Sequence, residues 1–461
     1  MSASKNHRSS AAMRGIDAPP RSATCHQRVV VLGGGIIGLT TCYYLAKRGH
    51  EVVCIEKESQ VGMLASFKNG TFFDSTLYSS WADFSVLYRK QIHAGTSSPK
   101  AKSKQKAFRI EAAAWMDPAF WSWGLKFMTS ATSRRAKDNG RKIRDLGFYS
   151  QRKLDELIRM HPEIEEAMEQ TAEGTLEVFE SAAERDEVMH SDRIYHCMEY
   201  RLPLQPLDAK DAACVEPALA KSVLAPGAIY SATGTNGDVH KTCLAMWQLC
   251  RQHGVMFRFN TDITDILIVD NRVVAVQAHD GDLIEGDSFV LALGNHTPAV
   301  AKLAGVKLPM YPVKGYVLSV PRNEAFPPLT CNVYAGGNAL VSPMADGSLR
   351  ISGGADFAGF NYKSDPKRVK WLLKQAKHLF PETYLDEAKL ESHVCLRPVS
   401  ADDVPFIGQT LVDNLFVNTG HGSKGWTLSF GSGALLADQI SGRTPEINIE
   451  KYSPLRFGLF S

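Results

Sequence analysis

Residues 28–56 read RVVVLGGGIIGLTTCYYLAKRGHEVVCIE, and this stretch decides the fold. Arg28-Val-Val-Val-Leu32 is an apolar run of strand length, Gly33-Gly-Gly35 is a turn, and Ile36 to Arg48 has helical spacing. Gly49 stops that helix and Val52-Val-Cys-Ile55 is a second strand, which makes a β-α-β unit of about thirty residues. Gly33, Gly35 and Gly38 are spaced as a dinucleotide-binding turn. Gly33 bends the chain, Gly35 admits a pyrophosphate to the backbone, and Gly38 lets helix pack on strand, while Gly34, Ile36 and Ile37 complete the loop at a helix N-terminus that favours anions. Glu56 ends the second strand, where a carboxylate holds a ribose hydroxyl pair. It would repel a 2′-phosphate, which disfavours NADP.

Working outward, the chain has 461 residues, long enough for two domains. Hydrophobic residues make up 44% and charged ones 22%, which excludes disordered and collagenous classes. No apolar run is long enough to span a membrane. The net charge is +3 but is unevenly placed: residues 1–28 carry five bases against Asp17, leaving 47 bases and 48 acids elsewhere. A neutral body is poor equipment for gripping nucleic acid, and none is expected as a partner. Nine cysteines, odd in number and without a CxxC pair, read as reduced and buried, with no metal site.

The first 27 residues are Ser-, Ala- and Arg-rich and acid-poor. They read either as a disordered extension or as a mitochondrial transit peptide, with a cytoplasmic location as the alternative. A second basic stretch, Arg89 to Lys106, reads as a solvated loop, or else as a patch touching anionic lipid or a protein. Residues 111–170 have helical spacing and read as an insertion whose aromatics are core. Beyond Leu202 come short β runs: 227–230, 255–259, 263–269, 273–278, 289–293, 313–320 and 349–352, with helices at 242–253 and 366–379 between them. The expected fold is therefore α/β, a Rossmann-like FAD-binding domain interleaved with a mixed-sheet substrate domain. The expected division is 28–88, 205–300 and 395–447 for the first, and 107–204 and 301–394 for the second.

Two later segments favour a flavin over a nicotinamide. Val290-Leu-Ala-Leu-Gly294 is a strand ending in glycine beside the expected crevice. Asn418-Thr-Gly-His-Gly-Ser-Lys-Gly-Trp-Thr427 follows a strand, Leu415 to Val417, and opens a helix, Leu428 to Ile440. A second helix N-terminus at the far end of the site suits the flavin N1-C2=O region, where negative charge gathers on reduction. Gly420, His421, Gly422, Gly425, Trp426 and Thr427 are the candidates there. His421, between glycines, is read as a flavin contact rather than an acid or base. Asp238 and His240 precede a helix, and the Asp is read as its N-cap.

With these landmarks go Ala65-Ser-Phe-Lys-Asn-Gly70, Leu207-Asp-Ala, Val215-Glu-Pro-Ala-Leu219, Tyr311-Pro-Val-Lys-Gly-Tyr316, Leu396-Arg-Pro-Val-Ser400 and Pro405-Phe-Ile-Gly408. From Arg28 to Pro445 the chain resembles the D-amino acid dehydrogenase small subunit family, within the FAD-dependent D-amino acid oxidase, glycine oxidase and sarcosine oxidase group. The resemblance implies a dissociable, non-covalent FAD and extends the cofactor set to Lys57, Ser66, Asn69 and Ile263. It implies oxidative deamination of a D-amino acid to a 2-oxo acid and ammonia, with electrons passed to a non-oxygen acceptor such as a membrane quinone and with peripheral membrane contact. An oxidase making hydrogen peroxide and a dinucleotide-binding scaffold are the alternatives. Hydride transfer from Cα to flavin N5 needs a clamp and a dry pocket rather than a strong base. Arg397 matches the family's carboxylate-binding Arg, and a guanidinium pairs bidentately with a carboxylate. Tyr316 is the second candidate, as a hydrogen-bond donor or cover, against a packed strand aromatic.

Overall fold

The computed structural model describes residues 26–83, 108–179, 181–202, 204–219, 226–335, 339–380 and 384–458. The opening stretch folds as strand Arg28–Leu32, helix Ile36–Lys47 and strand Glu51–Ile55. Both strands are interior to a six-stranded sheet ordered Phe406–Gln409, Leu415–Thr419, Ser288–Leu291, Arg28–Leu32, Glu51–Ile55, Met256–Arg258. Neighbours are parallel except the first pair, which is antiparallel.

These strands are apolar on both faces because both faces are covered. Val29, Val31, Val52, Cys54 and Val290 pack with helices Ile36–Lys47, Val239–Gln252, Ser133–Met160 and Gly425–Ile440. Val30, Leu32, Val53, Ile55 and Phe289 pack with an antiparallel sheet of Ile263–Val269, Arg272–Ala278 and Leu283–Glu285. The Asp238 carboxylate caps Val239–Gln252 by accepting from the Lys241 amide, as read.

A nine-stranded mixed sheet forms the second layer. Its path is Glu391–Ser400, Met310–Pro321, Ser348–Phe357, Ala339–Pro343, Asn332–Ala335, Thr175–Val178, Ala228–Ser231, Leu204–Leu207, with Phe108–Ile110 paired to Ser348–Phe357. Helix Pro366–Lys377 covers one face, where Trp371 and Leu372 pack on Leu318, Val341 and Ile351.

The expected division shifts in three places. Strands Leu204–Leu207 and Ala228–Ser231 belong to the nine-stranded sheet, not to the nucleotide layer, and Glu391–Ser400 stays in it to its last residue. A four-residue strand carries no local mark of which sheet will pair it. Helix Ser133–Met160, expected in the substrate domain, packs on the nucleotide layer: Ile143, Leu146 and Tyr149 join that core, and the Ser150 hydroxyl accepts from the Gly431 amide at 3.0 Å. Residues 1–25, the Arg89–Lys106 stretch and residues 84–88 of the first expected domain lie outside the described residues. Of the eight described cysteines, all free, Cys214 is exposed and Cys395 partly so; the other six are buried.

Candidate active site

The C-terminal ends of strands Arg28–Leu32, Glu51–Ile55, Ser288–Leu291 and Leu415–Thr419 open on one cavity of about 3010 Å³. Ligands bind at such ends, where the strand order reverses. Residues of the nine-stranded sheet, among them Arg397, Val317 and Tyr334, border the cavity as well.

Two glycines of the turn, Gly33 and Gly38, have no room for a side chain. Gly33 has φ 111°, and a Cβ there would stand 2.5 Å from the Ala292 carbonyl oxygen; one at Gly38 would stand 1.8 Å from the Gly33 oxygen. Gly33, Gly35, Ile36 and Ile37 border the cavity. Gly34 and Gly38 do not, and their part is to build the turn. The Gly34 amide donates to Glu56 Oε2 at 2.6 Å, and the Glu58 amide donates to Oε1 at 2.9 Å. Glu56 is thus fixed at the cavity wall. Burial raises its pKa against the lowering effect of those two amides. Ser66 Oγ accepts from the Ile36 amide at 3.1 Å, tying the loop to the helix N-terminus. Lys57, Ser66, Asn69, Ile263 and Gly294 all border the cavity.

At the other end Gly420, His421, Gly422, Gly425 and Trp426 also border it, but Thr427 does not. Thr427 is fully buried and bonded through Oγ1 to the Tyr78 hydroxyl at 2.6 Å. His421 is 2% exposed, and its Nε2 has no hydrogen-bond partner among the described residues. Burial lowers its pKa to about 3, so the ring is neutral. A glycine cradle, a fixed carboxylate, a second helix N-terminus and an orphaned polar nitrogen along one cavity fit an FAD. Among the described residues no cluster could hold a metal ion.

Arg397 lies in Glu391–Ser400 and borders the same cavity. Its Nη1 donates to the Gly354 carbonyl at 2.7 Å, and its guanidinium lies over Gly315, where a Cβ would stand 2.3 Å from Cζ. Gly354, with φ 71°, sits in a register shift between the paired strands, a bulge that turns its carbonyl toward Arg397. Trp81 faces the guanidinium, with Cζ 5.8 Å from its ring centre. No carboxylate pairs with Arg397 among the described residues, and burial lowers its pKa. An enclosed guanidinium with one neutral partner is built to receive an anion.

Tyr316 is elsewhere. It is 1% exposed, joins the core under helix Pro366–Lys377, and holds its hydroxyl 3.4 Å from Asp356 Oδ2. The expectation that it serves the substrate is corrected: one step along a strand reverses the face, and Tyr316 falls on the opposite face from Arg397. The sequence reading missed Trp81 and the buried pair of Lys424 with Asp403. A cation at the positive end of a helix was the available signal, since it demands a counter-charge.

The FAD dependent oxidoreductase (DAO) family model matches residues 28–439. A D-amino acid dehydrogenase from Paramagnetospirillum magneticum is 34% identical over 433 residues, covering 93% of this chain and 99% of that protein. One from Methylobacterium radiotolerans is 33% identical, with 91% and 97% covered. Glycine oxidase from Geobacillus kaustophilus superimposes with a TM-score of 0.70 at 21% identity, covering 93% of this chain and 99% of its own. The relatives named are bacterial and lend no support to a mitochondrial location. The cradle, the fixed Glu56 and the match over residues 28–439 agree: the chain belongs to the FAD dependent oxidoreductase family.

Proposed function

We propose that the protein oxidises D-amino acids to 2-oxo acids and ammonia and passes the electrons to an acceptor other than oxygen. The observation that carries this reading is Arg397, an enclosed guanidinium without a counter-ion among the described residues, in the cavity that also holds the dinucleotide cradle. The D-amino acid dehydrogenases similar over nearly the whole chain support the substrate class and the dehydrogenase chemistry.

Bound FAD supplies the two-electron acceptor. The protein's own residues do the rest. Arg397 grips the carboxylate in a bidentate pair, and Gly354 and Trp81 hold the guanidinium in one orientation, so the Cα–H has a fixed direction. Neutral His421 adds no competing charge. The substrate loses two electrons and two protons to become an imino acid, which water converts to the 2-oxo acid and ammonium.

A membrane-borne acceptor has support in the surface. Trp115, Met116, Trp121, Leu125 and Met128 are exposed on helices Ala112–Trp115 and Pro118–Ser130 and in the link between them; all but Met116 border the cavity. Arg134, Arg135 and Lys137 are exposed beside them. Aromatic and basic side chains together suit an anionic lipid surface. Among the described residues no helix is long and apolar enough to cross a membrane. The test is anaerobic addition of D- and L-amino acids to the yellow protein, followed by a quinone or by air. Bleaching by D-forms and faster recovery with quinone are expected. Bleaching by neither form refutes the substrate, and stoichiometric peroxide at full turnover refutes the acceptor.

A further inference from the structure

Sheet register sets what lies beside Arg397. Arg397 pairs with Val313, Val313 with Phe357, and Phe357 with Ile110. Directly paired residues project to the same face, so these four side chains form one row across the sheet. At about 4.8 Å per strand, Phe357 stands roughly 10 Å and Ile110 roughly 14 Å from Arg397 along the backbone. Val313, in the middle of the row, is fully buried, whereas Phe357 and Ile110 keep surface on the cavity, and the Arg397 guanidinium leans to the carbonyl of Gly354, next to Ala355. An amino acid held there by its carboxylate would lay its side chain against Ala355 and Phe357.

The surroundings of the row are apolar. In helix Pro118–Ser130, Phe120, Trp123 and Phe127 recur at i, i+3 and i+7, and the first two set their rings 5.7 and 5.5 Å from Phe357. Trp123 and Phe127 are 4.8 Å apart. Trp81, Ile110, Phe127, Ala355 and Phe357 are only partly buried, and all border the cavity, so their exposed surface faces its interior. The charged residues one step along the strands, Lys314 and its register partner Asp356, lie on the opposite face, and neither borders the cavity. The polar group of Tyr334, Glu177 and Arg193 also borders the cavity, but Tyr334 lies four strands from Arg397, roughly 19 Å and beyond the reach of a substrate side chain.

We propose that Ala355, Phe357, Ile110 and Phe127 wall the side-chain subsite and that the preferred substrates are D-amino acids with large apolar, above all aromatic, side chains. The proposal rests on Arg397 as the carboxylate clamp. Burying a phenyl group against such a wall corresponds to a ten- to hundred-fold gain in affinity.

The test titrates the flavin spectrum of the holoenzyme with propanoate and 3-phenylpropanoate, which share a carboxylate, differ by a phenyl ring and cannot react. The aromatic acid should bind at least ten-fold tighter. Phe357→Ala should cut that ratio below three, and Ala355→Phe, which fills the space beside it, should do the same. Equal binding of the two acids in the wild type, or an unchanged ratio in both variants, overturns the subsite. Arg397→Met separates the two readings: it should weaken both acids and preserve their ratio. Undiminished binding of both would show that the clamp, and the subsite built on it, are wrong. In turnover, D-phenylalanine should exceed D-alanine in kcat/KM by ten-fold or more. If no D-amino acid bleaches the flavin, the proposed reaction fails while the binding ratio still judges the subsite.

Discussion

Lys424 Nζ and Asp403 Oδ2 form an ion pair of 2.6 Å with 1% of each side chain exposed. The same Asp403 oxygen accepts from the Trp81 amide at 2.7 Å, and Lys424 lies 5.5 Å from the Trp81 ring centre. Trp81 in turn faces Arg397. The pair therefore stands directly behind the residue that steadies the clamp. Lys424 is the N-cap of Gly425–Ile440, an end already positive, so Asp403 offsets both the side chain and the helix terminus. Burial raises the Asp403 pKa, and Lys424 is the chief group opposing that rise.

Breaking this pair should cost more than removing it. Lys424→Met leaves a buried carboxylate alone, a loss of about 3–5 kcal/mol. Converting Asp403 to Asn in the same protein should restore most of it, because the uncompensated charge is gone. Urea unfolding of the holoenzyme measures both. If single and double variants are equally stable, the pair is not coupled.

Glu56 should govern cofactor retention. Glu56→Arg removes the acceptors of the Gly34 and Glu58 amides and sets a cation at the cavity wall. FAD should bind at least ten-fold more weakly, a change of about 1.4 kcal/mol or more. Glu56→Gln, which keeps one acceptor oxygen, should fall between. Flavin-to-protein absorbance after gel filtration reads the result, and undiminished flavin in Glu56→Arg would reduce Glu56 to a structural carboxylate. FAD, not FMN, should be released on heating the wild type.

The nucleotide half of the site was legible because its evidence is local. Arg28 to Glu56 carries turn, helix and carboxylate in one stretch, and the apolar run Ile263–Val269 forms the strand expected of it. What was not legible depends on long-range register. Tyr316 and Arg397 lie on strands whose pairing decides which face each meets, and a run such as Pro312-Val-Lys-Gly-Tyr316 does not state that pairing. Trp81 and Asp403 are 322 positions apart. Only the folded loop brings that tryptophan to the clamp.

The exposed aromatic face predicts lipid binding. The protein should sediment with vesicles rich in anionic lipid and much less with neutral ones, and added salt should weaken the association. Trp115→Ser with Trp121→Ser should abolish the apolar part, leaving a weak, fully salt-sensitive remainder. Absence of binding to anionic vesicles at low salt would remove the membrane contact from the proposal.

His421 should make the protein acid-sensitive well above the carboxylate range. Burial holds its pKa at about 3 in the folded protein against an ordinary 6.5, so between those limits the unfolded chain binds more protons. Stability from this group is present above pH 6.5 and is lost as pH falls. Between pH 6.5 and 5 the wild type should lose roughly 1.5 kcal/mol more than His421→Asn. Urea midpoints of the two holoproteins across that range check the difference. Parallel pH profiles would mean that His421 is not buried neutral.

Arg397 bears the heaviest prediction. Arg397→Met keeps the stem length and the packing under Trp81 while removing the charge, so the fold and flavin should survive. The lost bidentate pair should lower kcat/KM by roughly two or more decades, as for removal of one partner of a desolvated charge pair. Arg397→Lys should recover only part, because an ammonium cannot present the planar fork and cannot hold both the Gly354 carbonyl and two carboxylate oxygens. A D-amino acid and its carboxamide make the test specific. The amide keeps the shape and loses the charge, so it should be much the poorer substrate for the wild type. In Arg397→Met the two should converge, since neither meets a cation there. If the variant discriminates between acid and amide as sharply as the wild type does, another group holds the carboxylate, and Lys424, a buried cation on the cavity wall beside Trp81, becomes the residue to replace.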